Sequence, residues 1–423
     1  MIAEIIAAGS EMLTPFRQDT NSLFLTSELN DLGVAVAFKT IVGDNLQHLT
    51  VAASVAFARA NIIIFSGGLG PTEDDLTREA VASALNLKLN RSPEILAQLE
   101  ARFAARNIPM TANNAKQADI LETAELLPNT NGSAPGQFLI TTVTDPLGES
   151  HRRIIILLPG PPRELKPLFE EQCRHRLVFL VPERHIAKRM LRMALVPEST
   201  VDARTAPIYK QYPDVETTIL AHNGEIQLHF LASKPTSAEA QARVDELSGL
   251  IEHEMDDAIF SAHGESLEEV VLLMLGLNHL TISAAESATG GLLAQRLTAV
   301  PGSSRYFVGG AVVYSDHLKT TFAGVPAELI ATHGPVSDKV VRALAEGIRE
   351  RTGSSLGIAI TGIAGPGGGE PGPDEHKPIG LVYVALTDGT DTQVKQLHLQ
   401  GDRDRIRWWA TQHALELIRR FLM

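Results

Sequence analysis

Hydrophobic and polar positions along this chain form two long stretches in which short apolar runs alternate with amphipathic segments. In the first stretch, Ile2 to Ala7, Val34 to Val42, Asn61 to Ser66 and Arg153 to Leu158 read as strands. Ser22 to Leu32, Leu46 to Ala60, Thr77 to Leu85 and Pro93 to Arg106 carry apolar residues at helical spacing, and Gly33 stands where a helix would close. A run as continuously apolar as Ile62-Ile63-Ile64-Phe65 suits a strand buried on both faces. The pattern therefore predicts an α/β domain with a doubly wound, mostly parallel sheet, whose ligands bind beyond the carboxyl ends of the strands.

From about Glu170 the pattern changes. Ile186 to Val196 reads as a strand, Ser199 to Tyr212 as a helix, Glu216 to Phe230 as a hairpin and Ser237 to Phe260 as a long helix, together a small α+β module. Asn223-Gly224 marks the hairpin turn and opposes His222 to Glu225 and His229 to Thr218, so the two histidines read as ordinary hairpin residues. A polar joint at His263-Gly264-Glu265-Ser266 leads into a second α/β pattern. Its helices read at Leu267 to Leu277, Leu292 to Leu297, Pro335 to Arg351 (capped near Ser337 and Asp338) and from Gly401 to Leu422. Its strands read at Leu280 to Ala284, Tyr306 to Tyr314, Leu356 to Thr361, Gly380 to Leu386 and Gln393 to Leu399. Three domains are expected, over 1–170, 171–262 and 263–423.

Chemistry concentrates at strand ends. Ala285-Glu286-Ser287-Ala288-Thr289-Gly290-Gly291 joins a strand to a helix start, so Ser287 presents a hydroxyl beside unpaired amides of the first turn, with those near Thr289 to Gly291 suited to an oxyanion. Ser and Thr are also preferred helix caps and Gly-Gly relieves tight turns, so spacing alone leaves cap and nucleophile both open. The next strand ends in Tyr314-Ser315-Asp316-His317-Leu318-Lys319, where Lys319 is the candidate base and Tyr314 a relay or orienting group. Arg403 and Arg407 lie one turn apart and suit either a phosphate or a solvated basic face. The loop from Gly362 to Pro373 is rich in Gly and Pro and reads either as a surface connection or, with Thr361, as a ligand wall.

The amino-terminal strands end in Gly9-Ser10-Glu11, then Asp19-Thr20-Asn21, in Gly43-Asp44-Asn45, and in Ser66-Gly67-Gly68-Leu69-Gly70-Pro71-Thr72-Glu73-Asp74-Asp75. Glycines there let backbone amides approach a phosphate, and carboxylates hold a divalent cation against it. Asp74 and Asp75 equally suit the start of the next helix, and Glu11, Asp19 and Asp44 taken singly suit polar loops. Neither a Walker loop nor the dinucleotide fingerprint is present. Lys116 and Arg163 are either phosphate contacts or solvated charges.

The 423 residues carry a net charge of −13, which argues against a nucleic-acid scaffold. One cysteine, Cys173, excludes an internal disulfide framework and fits a reducing compartment. The first residues carry no basic segment and no apolar run reaches membrane-spanning length, so a cytoplasmic protein is expected.

The motifs from Ala285 to Gly291, Tyr314 to Lys319, Thr361 to Pro366 and Gly401-Asp402-Arg403 resemble the carboxy-terminal domain of the CinA family, the nicotinamide mononucleotide (NMN) deamidases. Ala288 replaces the family's usual Cys, which leaves Ser287 as the nucleophile. Gly9 to Glu11, Asp19 to Asn21, Val42 to Asn45, Gly67 to Asp75, Asn113 to Gln117, Ala134 to Gly136 and Leu158 to Pro162 resemble the family's molybdopterin-binding-like amino-terminal domain, with Thr14-Pro15 where Leu-Gly is more usual. The resemblance implies amide hydrolysis of NMN by Ser287, Lys319 and Tyr314, with Thr289, Gly290, Gly291, Thr361, Gly362 and Arg403 around the substrate. It implies a second, metal-dependent pyrophosphatase acting on ADP-ribose, with Glu11, Asp19, Asn21, Asp44, Gly67, Gly68, Gly70, Asp74, Asp75 and Lys116 at its site and a divalent ion on Asp44 and Asp75. It further implies a KH-like middle domain, a homodimer, and pyridine nucleotides rather than nucleic acid or membrane as partners. Nucleotide sensing without turnover, or an active pyrophosphatase alone, are the alternatives.

Overall fold

In the computed structural model, residues 1–144, 148–365, 374 and 376–423 are described, and the part of the Gly- and Pro-rich loop from Pro366 to Pro373 lies outside them. The chain forms two compact units, Met1–Ile186 with Ser233–Ala240, and Ala187–Ala232 with Gln241–Met423.

The first unit runs β1 (Ile2–Ala8), α1 (Thr20–Asp31), β2 (Ala35–Val42), α2 (Leu46–Arg59), β3 (Ile62–Ser66) and α3 (Thr77–Leu85). It continues through β4 (Leu89–Arg91), α4 (Pro93–Ala104), β5 (Asp119–Leu121), β6 (Glu125–Leu127), β7 (Gly136–Thr144), β8 (Ser150–Leu158), α5 (Pro162–Leu168) and α6 (Arg174–Val178). Six strands make a sheet of order β2-β1-β3-β8-β7-β6. The first four are parallel, β7 runs antiparallel to β8, and β6 runs antiparallel to β7 and so in the direction of the first four. Alternate side chains of the central strands feed two cores. Ile6, Ile63, Phe65, Ile155 and Leu157 meet α2 and α3, whereas Ile5, Ile62, Ile64, Ile154 and Ile156 meet α1 and α5. A strand covered on both faces must be apolar at every position, which is why β3 reads as one unbroken run. Cys173 is fully buried in the second of these cores, and burial pushes its thiol pKa up to about 12.

Beyond it come β9 (His185–Ala194), α7 (Glu198–Tyr209), β10 (Val215–His222), β11 (Glu225–Lys234), α8 (Ser237–Met255) and β12 (Ile259–Ser261), with a sheet of order β10-β11-β9-β12. The hairpin register pairs His222 with Glu225 and Thr218 with His229, as the Asn-Gly turn predicts. The helix expected to reach Phe260 stops at Met255. Asp256 adopts a left-handed φ of 46°, which ends the helix, and Ile259 pairs with β9 while Phe260 is buried.

The remaining elements are α9 (Leu267–Leu277), β13 (Ile282–Glu286), α10 (Leu292–Thr298), β14 (Phe307–Val312), α11 (Asp316–Ala323), α12 (Ala327–His333), α13 (Asp338–Thr352), β15 (Leu356–Gly362), β16 (Leu381–Thr387), β17 (Thr392–His398) and α14 (Arg403–Leu422). Their sheet has the order β14-β13-β15-β16-β17, with the first three strands parallel and the last two antiparallel. One face packs its Ile, Val and Leu side chains on α9, α10 and α14. The other presents a row of small residues, Ala285, Ala359 and Ala385, paired in register beneath α13. The small side chains bring α13 down onto the sheet: a Cβ added at Gly357 would stand 2.2 Å from the Ala345 carbonyl oxygen. The three parallel strands therefore end side by side, and their ends carry the first site.

Candidate active sites

Ser287 follows β13 directly, and its amide donates to the Ile360 carbonyl at 2.9 Å, so the residue stays in the ladder with β15. Its side chain makes no hydrogen bond among the described residues, and the residue is 7% exposed. Gly290 and Gly291, with φ of 60° and 95°, then turn the chain into α10 through conformations that a side chain would strain.

The turn's donors divide in a way spacing does not reveal. Glu286, 2% exposed, reaches under α10 and accepts from the amides of Gly291 (3.0 Å), Leu293 (3.0 Å) and Ala294 (2.8 Å). A carboxylate at a helix start is held by the positive end of the dipole as well as by these bonds. The Gly290 amide closes the turn onto the Ser287 carbonyl. Of the amides expected to face an oxyanion, those of Gly290 and Gly291 are thus engaged. The amides of Ala288 and Thr289 donate to nothing among the described residues. The Thr289 hydroxyl beside them is buried without a partner.

Lys319 lies on α11, just after β14, and is 2% exposed. Its Nζ donates to Asp316 Oδ1 at 3.1 Å and to the Tyr314 carbonyl at 3.3 Å, and no bond joins it to Ser287. The Tyr314 hydroxyl, expected beside the lysine, instead accepts from Arg403 Nη2 at 3.0 Å. Arg407 Nη2 donates to the Thr289 carbonyl at 2.8 Å. The start of α14 is therefore tied to both the nucleophile turn and the end of β14. Thr361 is fully buried and its hydroxyl donates to the Pro335 carbonyl. A Cβ at Gly362 would meet Val382 at 2.7 Å. Both residues therefore serve the packing of β15 and turn no side chain toward Ser287.

In the first unit a cavity of about 570 Å³ opens beyond β1, β3 and β8. Glu11, Asn21, Asp44, Asp74 and Asp75 line it together with Gly67, Gly68 and Gly70. Asn21 donates to the Ser66 hydroxyl (3.0 Å) and the Gly160 carbonyl (2.7 Å), while its Oδ1 is buried with no partner. Asp19 does not line the cavity. Its carboxylate caps α1, accepting from the Ser22 amide at 2.9 Å.

The glycine loop is shaped from behind by cations. Lys116 turns from the cavity and holds the Thr72 and Asp75 carbonyls, each at 2.8 Å. Arg78, 1% exposed, donates to the carbonyls of Leu69 (2.8 Å) and Gly70 (3.1 Å). Burial lowers its pKa from the usual arginine value, against the pull of Glu79 and Asp75. Gly68 has φ of 67°, and a Cβ there would lie 2.2 Å from Thr77 Oγ1. Close backbone packing therefore requires this glycine before any ligand is considered.

The donor set limits what kind of divalent ion site the cavity could form. Among the described residues no group of three or more His, Cys, Asp or Glu side chains is arranged to hold a metal. Asp44 Oδ2 accepts from the Ser10 amide at 2.7 Å, and Asp75 Oδ2 from the Thr72 amide at 2.9 Å, which leaves each carboxylate a second oxygen. Two such carboxylates fit a magnesium-like ion that completes its shell with water and a ligand's phosphates, and do not fit an all-protein cage.

The two signals that sequence reasoning missed are Glu286 and Arg78. Glu286 is a charge at the end of an apolar strand beside a glycine turn, and Arg78 a basic residue in an acidic stretch that follows a glycine loop; only a tertiary partner makes the burial of either tolerable.

Two family models match the chain, a probable molybdopterin binding domain over residues 4–178 and a CinA C-terminal domain over 264–422. CinA-like proteins from Acidobacterium capsulatum and Koribacter versatilis are each 55% identical over the whole of this chain and of their own. One from Solibacter usitatus is 48% identical over 99% of this chain and 98% of its own. A chain that joins a molybdopterin-binding-like domain to a CinA C-terminal domain is what these matches describe. The chain belongs to the CinA family. No helix among the described residues is long and apolar enough to cross a membrane.

Proposed function

We propose that the carboxy-terminal site is a serine amidohydrolase that converts NMN to nicotinic acid mononucleotide and ammonia. The observation that carries this reading is the unbonded Ser287 hydroxyl at the end of β13, next to the two uncommitted amides of Ala288 and Thr289. Ser287 Oγ attacks the carboxamide carbon, its proton passes to Lys319 Nζ, and the oxyanion takes the Ala288 and Thr289 amides. The C–N bond then breaks, Lys319 returns the proton to the leaving nitrogen, and ammonia departs. Water hydrolyses the resulting ester, giving a proton to Lys319 that is passed back to Ser287 Oγ. In this role Lys319 Nζ turns from Asp316, whose side chain is 55% exposed, toward Ser287. Arg403, oriented by Tyr314, receives the substrate phosphate.

Product analysis after incubation with NMN in EDTA tests this. Ammonia and nicotinic acid mononucleotide should form with the wild type and fall at least about a thousandfold in Ser287→Ala. Turnover retained by Ser287→Ala removes the mechanism.

The cavity of the first unit favours a second reading alongside, hydrolysis of the diphosphate of ADP-ribose. A divalent ion held by Asp44 and Asp75 would neutralise the phosphoryl oxygens. Asn21 Oδ1, buried and unpaired at the cavity wall, supplies an acceptor for a ligand hydroxyl. The reading requires metal-dependent release of AMP that Asp44→Asn abolishes. Saturable binding of ADP-ribose without AMP would make this half a nucleotide sensor instead.

A further inference from the structure

A second cavity of about 410 Å³ lies beside the strand-end cavity and shares Ser133 and Glu164 with it as wall. Three arginines line it, Arg102 from α4, Arg106 just past the end of α4, and Arg163 from the first turn of α5. The pocket is built by side chains rather than left by chance. The loop carrying Gly132 is gripped from one side by Arg102, whose Nη1 donates to the Gly132 carbonyl. From the other side, Glu164 Oε2 accepts from Asn129 Nδ2 at 2.9 Å. Gly132 admits that carboxylate, since a Cβ there would stand 1.6 Å from Glu164 Oε2.

With Arg102 and Glu164 holding the loop, the side chains of Arg106 and Arg163 make no hydrogen bond or ion pair among the described residues, and both residues are exposed. Two uncommitted guanidiniums facing one cavity, in a chain of net charge −13, run against the overall balance. Planar guanidiniums match a phosphate through paired donors, and a compact dianion is the group that would offset both charges at once. The shared wall places this pocket within reach of a ligand already seated at the strand ends. Phe103 and Ile108 add an apolar side for the sugar or base that carries the anion.

We propose that the amino-terminal site is bipartite: the strand-end cavity holds a nucleoside diphosphate and the Arg102–Arg106–Arg163 pocket holds a further phosphate monoester of the same ligand. The proposal rests on the reading of this half as a nucleotide site and names its ligand class, a nucleoside diphosphate sugar phosphorylated at one end.

Titration calorimetry on the full chain tests it with ADP-ribose, ADP-ribose bearing a 2′-phosphate on the adenosine, and ADP-ribose bearing a 5″-phosphate on the terminal ribose. One phosphorylated ligand should bind at least about tenfold more tightly than ADP-ribose, and the ratio should fall to about one in Arg106→Ala/Arg163→Ala. The variant changes two exposed residues and leaves Arg102 to hold the loop. Equal binding of all three ligands by the wild type, or a gain that survives in the variant, overturns the subsite while leaving the nucleotide site standing. Absence of binding by any of the three overturns both.

Discussion

The two strand-end sites answer the same geometric opportunity in opposite ways. In each, a fully buried strand ends in a glycine turn that opens toward a helix, β3 before α3 and β13 before α10. In the carboxy-terminal half the carboxylate nearest the turn, Glu286, is folded under the helix and takes three of its amides. What remains for chemistry is a neutral hydroxyl with two amides beside it. In the amino-terminal half the buried charge behind the loop is a cation, Arg78, which holds the loop's carbonyls. The carboxylates are left facing the cavity. Glu286 occupies three amides and leaves those of Ala288 and Thr289 for a developing oxyanion, whereas Arg78 occupies the loop's carbonyls and leaves the carboxylates to gather a cation and, through it, phosphates. Which groups the buried partner occupies thus decides what kind of ligand each turn can accept.

The sharpest way to break this contrast is Glu286→Ala. Three amides lose a buried acceptor, so the second unit should be destabilised by about 4 kcal/mol, read as a lowered urea midpoint, with the first unit's transition unmoved. An unchanged midpoint would show that water replaces the carboxylate and that the cap is dispensable.

The next effect is pH-dependent and also belongs to the second unit. Burial on α14 pulls the His413 imidazole from 6.5 down to about 4, with Lys395 adding to the shift and Glu416 opposing it. The folded chain keeps this ring neutral while the unfolded chain protonates it below pH 6.5. The stability it allows is complete above 6.5 and is lost as pH falls toward 4, by about 3 kcal/mol in all. Urea unfolding between pH 4 and 7 should show that loss, and His413→Gln should flatten it.

In the first unit, Gly68→Ala forces a methyl group against Thr77 from a left-handed backbone. We expect a loss of about 2 kcal/mol together with weaker ADP-ribose binding, measured by denaturation and calorimetry on the same preparation. A stability loss with binding intact would mean that the glycine serves the fold alone.

The smallest effect is expected at Arg403→Lys. It keeps the charge but gives up the planar pairing with Tyr314 and phosphate, so the KM for NMN should rise about tenfold with kcat nearly unchanged. A fall in kcat instead would move Arg403 from substrate binding into the chemical step.

Much of this was legible along the chain, and for identifiable reasons. β3 and the inner part of β8 announce themselves because burial on both faces demands unbroken apolar runs, whereas the edge strand β2 alternates. The hairpin register follows from Asn223-Gly224 alone, since that dipeptide suits one kind of two-residue turn. β7 escaped because only its first four residues are buried in sequence, and its Thr-rich outer half carries no continuous apolar signal. The overrun of α8 to Phe260 arose because Ile259 and Phe260 continue a plausible helical face, while the break depends on Asp256 adopting a conformation that few residues take.

The candidate site residues divide along a similar line. That Ser287, Tyr314 and Arg403 belong to one region follows from strand order and motif. That Tyr314 serves Arg403 rather than Lys319, that Thr361 faces Pro335, and that Asp19 and Lys116 serve a cap and a loop depend on which partner lies within three ångströms. Hydrophobic periodicity is a property of each segment taken alone, so the sequence by itself determined the longer elements, their order and the turns that carry chemistry. A hydrogen bond joins groups from distant segments, and each polar group has more candidate partners than it can satisfy. Only the tertiary structure decided which carboxylate is buried, which amides stay free, and therefore what each turn can bind.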